Sequence, residues 1–239
     1  MHDEGHTCYD PLFFHYPTLD ETFTDTEHTF IVADALKVSP VLEAGVEKIK
    51  SYFPNGRWVN LKDLKDVVNV EDQSGGAYVT LNAPTDTVNV HLMPGKIAVF
   101  QDNADQSKKL TDDMLNEKAI SLILNRDSQA HADGRIFLDD GVSQSSLDNK
   151  EYLYYEFHHN QKSLIKQTLN DHSSSFLQAF TIDKVVIADA ADLSKVDTAC
   201  QVTVVGEVKM LTTSFDADKN VLTVTGPINF VDVERIHYL

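Results

Sequence analysis

Asp139 and Asp140 are the most suggestive acidic pair in this chain. Two carboxyl groups can divide acid, base and nucleophile work when they converge on one bond. Neighbouring side chains on a strand point to opposite faces, so these two do not converge there. Followed by Gly141, they read instead as a turn, in which Asp accepts hydrogen bonds from nearby backbone and glycine supplies positive φ. A calcium contact at this point would lack the several oxygen ligands that the ion takes. His2, His6 and Cys8 carry metal-ligating atoms, but no second cluster follows at a recognisable zinc spacing. His158-His159 falls at an expected strand end and is expected to be exposed, where an imidazole would titrate near neutral pH. Gly75-Gly76 has no following helix whose amides could cradle a phosphate. Ser173-Ser174-Ser175 lacks the strand-turn-helix surroundings of a nucleophile elbow. These residues therefore assign no catalytic, no cofactor-binding and no metal site, and they call for no cofactor.

Aromatic rings are the other chemistry on offer, because they stack on the apolar faces of sugars. Trp58, Tyr152, Tyr154 and Tyr155 are the candidates. Trp58 follows the turn Pro54-Asn55-Gly56 and reads first as core packing beneath it. Tyr152 and Tyr154 share one face of a strand and Tyr155 takes the other, as half-buried sheet residues do.

The elements that would position these residues are short strands. Runs rich in Val, Ile, Phe and Tyr recur, separated by Gly, Pro, Asn and Asp. They are expected at 30–32, 38–42, 46–53, 75–82, 88–92, 97–100, 120–124, 136–138, 152–158, 164–169, 176–187, 202–210, 221–224 and 231–238. The 46–53 run has no cleanly apolar face, which suits an edge. The His159-Asn160-Gln161 turn would pair the runs on either side of it. Helical periodicity is weak, and a short helix is expected only over 111–118. Residues 1–27 hold one apolar, strand-like run, Pro11-Leu12-Phe13-Phe14, and do not read as a self-sufficient unit. The polar stretch 102–116 is the candidate linker.

Composition bounds the partners. The 239 residues include 37 Asp and Glu against 20 Lys and Arg, a formal net charge of -17. Nucleic-acid affinity rests on cationic side chains displacing counterions, so a nucleic-acid partner is not expected. No apolar run is long enough for a membrane span. The start, Met1-His2-Asp3-Glu4-Gly5, lacks the basic-then-apolar order of a secretory leader. Cys8 and Cys200 could form one disulfide, but two buried thiols are the better expectation.

Five segments, taken in order, carry a resemblance. Asp10-Pro11-Leu12-Phe13-Phe14-His15-Tyr16-Pro17 resembles Arg-Pro-Leu-Phe-Phe-Glu-Phe-Pro. Residues 33–42, Ala-Asp-Ala-Leu-Lys-Val-Ser-Pro-Val-Leu, resemble Gly-Asp-Ala-Leu-Leu-Val-Ala-Pro-Val-Leu. Tyr52-Phe53-Pro54-Asn55-Gly56-Arg57-Trp58 resembles Tyr-Phe-Pro-x-Gly-x-Trp. The run from Ala83-Pro84-Thr85-Asp86 to Val90-His91 resembles Ala-Pro-Leu-Asp-x-Ile-Pro-Val-His. Arg135 to Ser143, with Asp139-Asp140-Gly141, resembles Leu-Tyr-Leu-Asp-Asp-Gly-Glu-Ser. These are patterns of glycoside hydrolase family 31, the family of acid α-glucosidase and maltase, in the family's order and spacing. The sequence departs from them at Asp10, where the family has Arg, at Lys37, where it has Leu, and at His91 to Gly95.

The resemblance implies an all-β chain of two consecutive antiparallel β-sandwich domains, preceded by a short remnant of a barrel end. Residues 1–27 would be that remnant, 28–103 the proximal sandwich and 104–239 the distal one. The family's enzymes are retaining α-glycosidases. Their nucleophile lies in a Trp-x-Asp-Met-Asn-Glu type motif and their acid/base in a separate barrel loop, neither of which is present. The chain is thus expected to be inactive alone. It would support a catalytic (β/α)8 barrel, its expected partner, with carbohydrate a further one. The alternative is a free-standing β-sandwich module that binds glycan or protein. The compartment stays open, with a lysosomal or secretory setting suggested by the resemblance.

Overall fold

The expected strands are largely realised in a computed structural model of the protein, which describes residues 7–24, 26–101, 118–172, 174–195, 199–204 and 207–238. The chain divides into two units, residues 1–96 and 97–239. The expected linker at 102–116, and the expected helix over its first seven positions, 111–117, lie outside the described residues.

The first unit opens with β1 (Tyr9–Asp10) and a single helical turn, α1 (Leu12–His15). The strand-like reading of Pro11 to Phe14 is therefore corrected to a helix. Pro11 caps it with φ fixed at -64°, and a proline at a helix start forfeits no intrahelical bond. Tyr16 N donates to Leu12 O to close the turn. A short 3-10 helix follows over Asp20–Phe23. Then come β2 (Phe30–Val32), β3 (Leu36–Ser39), β4 (Lys48–Pro54), β5 (Arg57–Asn60), β6 (Val67–Asn69), β7 (Gly76–Asn82) and β8 (Asn89–Leu92). They form a six-stranded sheet in the order β1-β2-β3-β8-β5-β6 and a two-stranded sheet β4-β7. The run without a clean apolar face, β4, has β7 as its partner in that small sheet. Ile31, Trp58 and Val68 from one sheet pack with Tyr52, Phe53 and Leu81 from the other, which is the sandwich principle of two apolar faces sharing one core.

Gly76 shows how tightly the small sheet turns. Its φ is +122°, and a Cβ there would sit 2.2 Å from Phe53 O. Only a residue without a side chain permits that backbone approach.

The second unit contains β9 (Lys96–Gln101), β10 (Ala119–Asn125), β11 (His131–Leu138), β12 (Leu153–Asn160), β13 (Ser163–Asn170), β14 (Thr181–Ala188), β15 (Ala199–Val204), β16 (Glu207–Asp216), β17 (Val221–Asn229) and β18 (Val233–Tyr238). Their ladders close into a ring, β10-β14-β17-β16-β15-β18-β13-β12-β11-β9. Closure leaves each strand a partner on both sides, which removes the free sheet edges an open sandwich would keep. β12 and β13 pair through the expected turn, with Asn160 opposite Ser163. Ile120, Leu122 and Leu124 of β10 meet Tyr155 and Phe157 of β12, Val185 and Ile187 of β14, and Phe230 in the core.

Two expectations fail here. The single strand read over 202–210 is a hairpin, with Val204 of β15 opposite Glu207 of β16. The pairing is also not wholly antiparallel, because β10 runs parallel to β14 from Ala119↔Thr181 to Asn125↔Ala188. A parallel pair needs a crossover, and here the meander β11-β12-β13 supplies it. No helix among the described residues is long and apolar enough to cross a membrane.

Candidate functional site

The loop after β11 uses both of its carboxylates for its own shape. Asp139 Oδ1 accepts from Gly141 N at 2.9 Å, and Asp139 Oδ2 accepts from Ser146 Oγ at 3.0 Å. Asp140 Oδ1 accepts from Val142 N at 3.1 Å and Ser143 N at 2.8 Å, and Ser143 Oγ donates to Oδ2 at 2.5 Å. The Ser143 hydroxyl and amide, followed by the Val142 amide, hold the Asp140 carboxyl below its ordinary range. Gly141 supplies a φ of +70°. The pair thus works as a turn.

The histidine pair divides. His158 points outward and meets Asp133 at 2.7 Å and Glu156 at 3.6 Å. His159 is buried, against the expectation of exposure, because strand alternation turns it into the core. Its Nδ1 contacts Ala130 O at 3.0 Å, and burial pushes its pKa down to about 4. His2 and His6 lie outside the described residues. Cys8 is exposed rather than buried. Of the serine run, Ser174 Oγ accepts from Leu177 N at 3.2 Å and so starts the 3-10 turn Leu177–Ala179, while Ser173 lies outside the described residues. Gly75 O accepts from the Tyr52 hydroxyl at 2.7 Å, a backbone role for the glycine pair.

Of the aromatic candidates, Trp58 is wholly buried. Its Nε1 donates to Pro54 O at 2.9 Å and its ring meets Phe53 edge-on at 5.7 Å. Tyr155 is also buried, against Phe230, with Lys166 Nζ 4.2 Å over its ring and its hydroxyl 3.1 Å from Asp171. Tyr152 and Tyr154 remain on the outer face, where Phe137 joins them with ring centroids 4.8 Å and 6.3 Å away. Phe137 was not among the candidates read from the sequence. Its signal was the burial of Ile136 beside it, which turns Phe137 outward opposite Tyr154.

The apolar run Pro11 to Phe14, which does not read as self-sufficient, contributes to an apolar surface on the first unit, and Phe23, not singled out from the sequence, joins it. Phe14 is 59% exposed and Phe23 51%, while the exposed Tyr9 sits by Phe30. Phe13 stacks on Phe23 with centroids 4.8 Å apart and meets Phe14 edge-on at 5.2 Å. The helical turn places Phe13 and Phe14, since Leu12 alone of its apolar residues is spent on the core, and the 3-10 helix Asp20–Phe23 brings Phe23 to them. Nearby ionic contacts fix the turn: His15 Nε2 lies 3.2 Å from Asp10, His15 Nδ1 lies 3.3 Å from Asp34, and Lys96 Nζ lies 2.7 Å from Asp34. A cleft of about 390 Å³, lined in part by Val41, Leu42, Lys50 and Tyr78, opens in the same unit.

The pattern of the glycosyl hydrolase family 31 C-terminal domain matches residues 5–98. The chain belongs to glycoside hydrolase family 31. Alpha-glucosidase from Hordeum vulgare is 35% identical over 191 residues, which cover 78% of this chain and 21% of that protein. Lysosomal alpha-glucosidase from Bos taurus is 32% identical over 170 residues, 65% of this chain and 17% of that protein. The crystal structure of glucosidase II alpha subunit with DNJ bound superposes with a TM-score of 0.87 at 14% identity, covering 100% of this chain and 26% of that one. The fold is thus the all-β C-terminal region of family 31 proteins, and the chain spans about a sixth to a quarter of these relatives' length.

The family 31 departures have local explanations. Asp10, in place of the family's Arg, faces Thr7 and His15. Lys37, in place of Leu, is fully buried yet donates to Ser39 Oγ at 2.8 Å and Ser51 Oγ at 2.7 Å, with its ammonium 3.9 Å over the Phe53 ring. His91 packs edge-on to the same ring at 5.0 Å. Burial, with the Lys37 charge as a lesser cause, pushes the His91 pKa down to about 3 and keeps it neutral beside the ammonium.

Proposed function

We propose that this chain is a non-catalytic C-terminal part of an α-glucosidase-like family 31 hydrolase, supporting a catalytic (β/α)8 barrel that hydrolyses α-glucosidic bonds with retention. The carrying observation is the apolar surface of Phe13, Phe14 and Phe23, whose rings meet one another. Contiguous exposed aromatic side chains mark a surface that another protein body covers. Phe13 and Phe14 lie in the segment, Asp10 to Pro17, that resembles a family 31 pattern at the expected remnant of a barrel end, so a barrel is the fitting body, whether on the same polypeptide or on another. Retention needs two carboxyl groups about 5–5.5 Å apart and free to act on one bond. The acidic pair of this chain instead accepts hydrogen bonds from its own loop.

The test joins two measurements. Native purification followed by mass spectrometry should find a family 31 barrel bound to these residues or continuous with them, and a Phe14→Asp, Phe23→Asp variant should lose a separate barrel or leave a continuous one misassembled. The isolated 239-residue chain should release no glucose from maltose. Glucose release by the isolated chain would overturn the reading.

A further inference from the structure

The outer face of β11 and β12 carries a second surface that the barrel reading leaves unused. Phe137 is 44% exposed, and Tyr152 and Tyr154 are half-buried beside it. Antiparallel pairing sets Phe137 opposite Tyr154, and two residues along it sets Arg135 opposite Glu156. Period-two alternation puts all of these on one side of the sheet. Arg135 Nε meets Glu156 at 2.7 Å, and one step further His158 meets Asp133 at 2.7 Å. An aromatic band therefore adjoins a polar row on this face.

We infer that this face is a glycan-binding platform for a neutral α-linked glucose chain, with Phe137, Tyr152 and Tyr154 offering ring surfaces and Arg135 and Glu156 offering hydrogen bonds to sugar hydroxyls. Cross-strand packing explains why aromatic residues pair on a sheet. It does not explain why three of them stand on the outer side next to mutually neutralised charges. Tyrosine joins an apolar body to a polar tip, which suits a ligand that alternates apolar ring faces with hydroxyls. The charges decide against anionic occupants. The chain carries a net -17, which repels anionic polymers and lipids, and the Arg135–Glu156 pair cancels within the face. A neutral polyhydroxylated chain matches what remains. The choice of α-glucan rests on the function proposed above, while the platform itself is independent of barrel docking.

Native electrophoresis of the full chain through gels with and without amylopectin tests this. The wild type should be retarded by amylopectin, and free maltoheptaose should relieve the retardation. Phe137→Ala and Tyr154→Ala should each weaken retention about tenfold with the thermal melt of the second unit retained, and Tyr152→Ala serves as a third variant if either fails to fold. Phe14→Asp, on the proposed barrel-docking surface, should leave retention unchanged, so failure of docking and failure of the platform are separately visible. Equal mobility in both gels overturns the inference, as does retardation that survives the folded platform variants.

Discussion

The ammonium of Lys37 sits 3.9 Å over the ring of Phe53, inside the first unit, at a position where family 31 sequences of the resembled pattern carry Leu. The ring face attracts the cation, and two serine hydroxyl oxygens accept hydrogen bonds from it. Burying an ammonium is costly even when it is well held. Lys37→Met keeps the length and removes that cost, and Ser39 and Ser51 retain their mutual bond at 2.9 Å. Urea unfolding followed by the fluorescence of Trp58 should show the variant unchanged or stabilised by about 1–2 kcal/mol. Ser51→Ala, which strips an acceptor from a buried ammonium, should destabilise by about 1–3 kcal/mol.

The His15 contacts make the first unit sensitive to pH. His15 is raised above its ordinary 6.5, first by the Asp34 carboxylate, with burial opposing and Asp10 assisting. Asp34 is held well below its ordinary 3.8, first by His15, then against burial by Lys96. A raised histidine contributes stability that is complete below 6.5 and lost as pH rises through its folded value. A lowered carboxyl contributes stability that is present above 3.8 and lost as pH falls toward its folded value. The pair should therefore hold best between about pH 4 and 6.5. His15→Gln should flatten the fall in the Trp58-monitored unfolding midpoint as pH rises from about 6 to 8. An unchanged slope in that variant would refute the assignment.

Ala33 and Asp34 both have positive φ, 52° and 60°, in the tight turn between β2 and β3. The resembled pattern has glycine at position 33. The left-handed conformation costs an L-residue about 1–2 kcal/mol, and glycine gives back part of that through its greater unfolded entropy. Ala33→Gly should stabilise the first unit by about 0.5–1 kcal/mol, read from the same unfolding curve.

Two glycines give a matched contrast. A Cβ at Gly76 meets Phe53 O at 2.2 Å, whereas at Gly45, with φ +78°, it meets nothing within 4 Å. Gly45→Ala should cost only the conformational strain, about 1 kcal/mol. Gly76→Ala must also push β4 and β7 apart, so circular dichroism should show the first unit melting far earlier or failing to fold.

The residues whose meaning was local were legible in the sequence. Pro54-Asn55-Gly56 marked a turn, Trp58 fell beneath it, and Asp139-Asp140-Gly141 capped a loop, because turn chemistry acts over a few bonds. Strand positions were readable because alternation and punctuation repeat every few residues. The helix at Leu12–His15 was misread because four apolar residues carry no period long enough to separate helix from strand. The aromatic surfaces were only half visible, since exposure depends on which neighbours fill the core.

By itself, the sequence determined the all-β class, the family 31 relationship and the strand alternation that sets Tyr152 and Tyr154 on one face and Tyr155 on the other. Tertiary structure alone decided that β10 pairs in parallel with β14, that the second unit's ladders close into a ring, and that Phe137 meets Tyr152 and Tyr154 on an outer face. Those facts depend on which strands become neighbours across long stretches of chain, and a side-chain pattern with period two fixes the face of each strand without naming its partner.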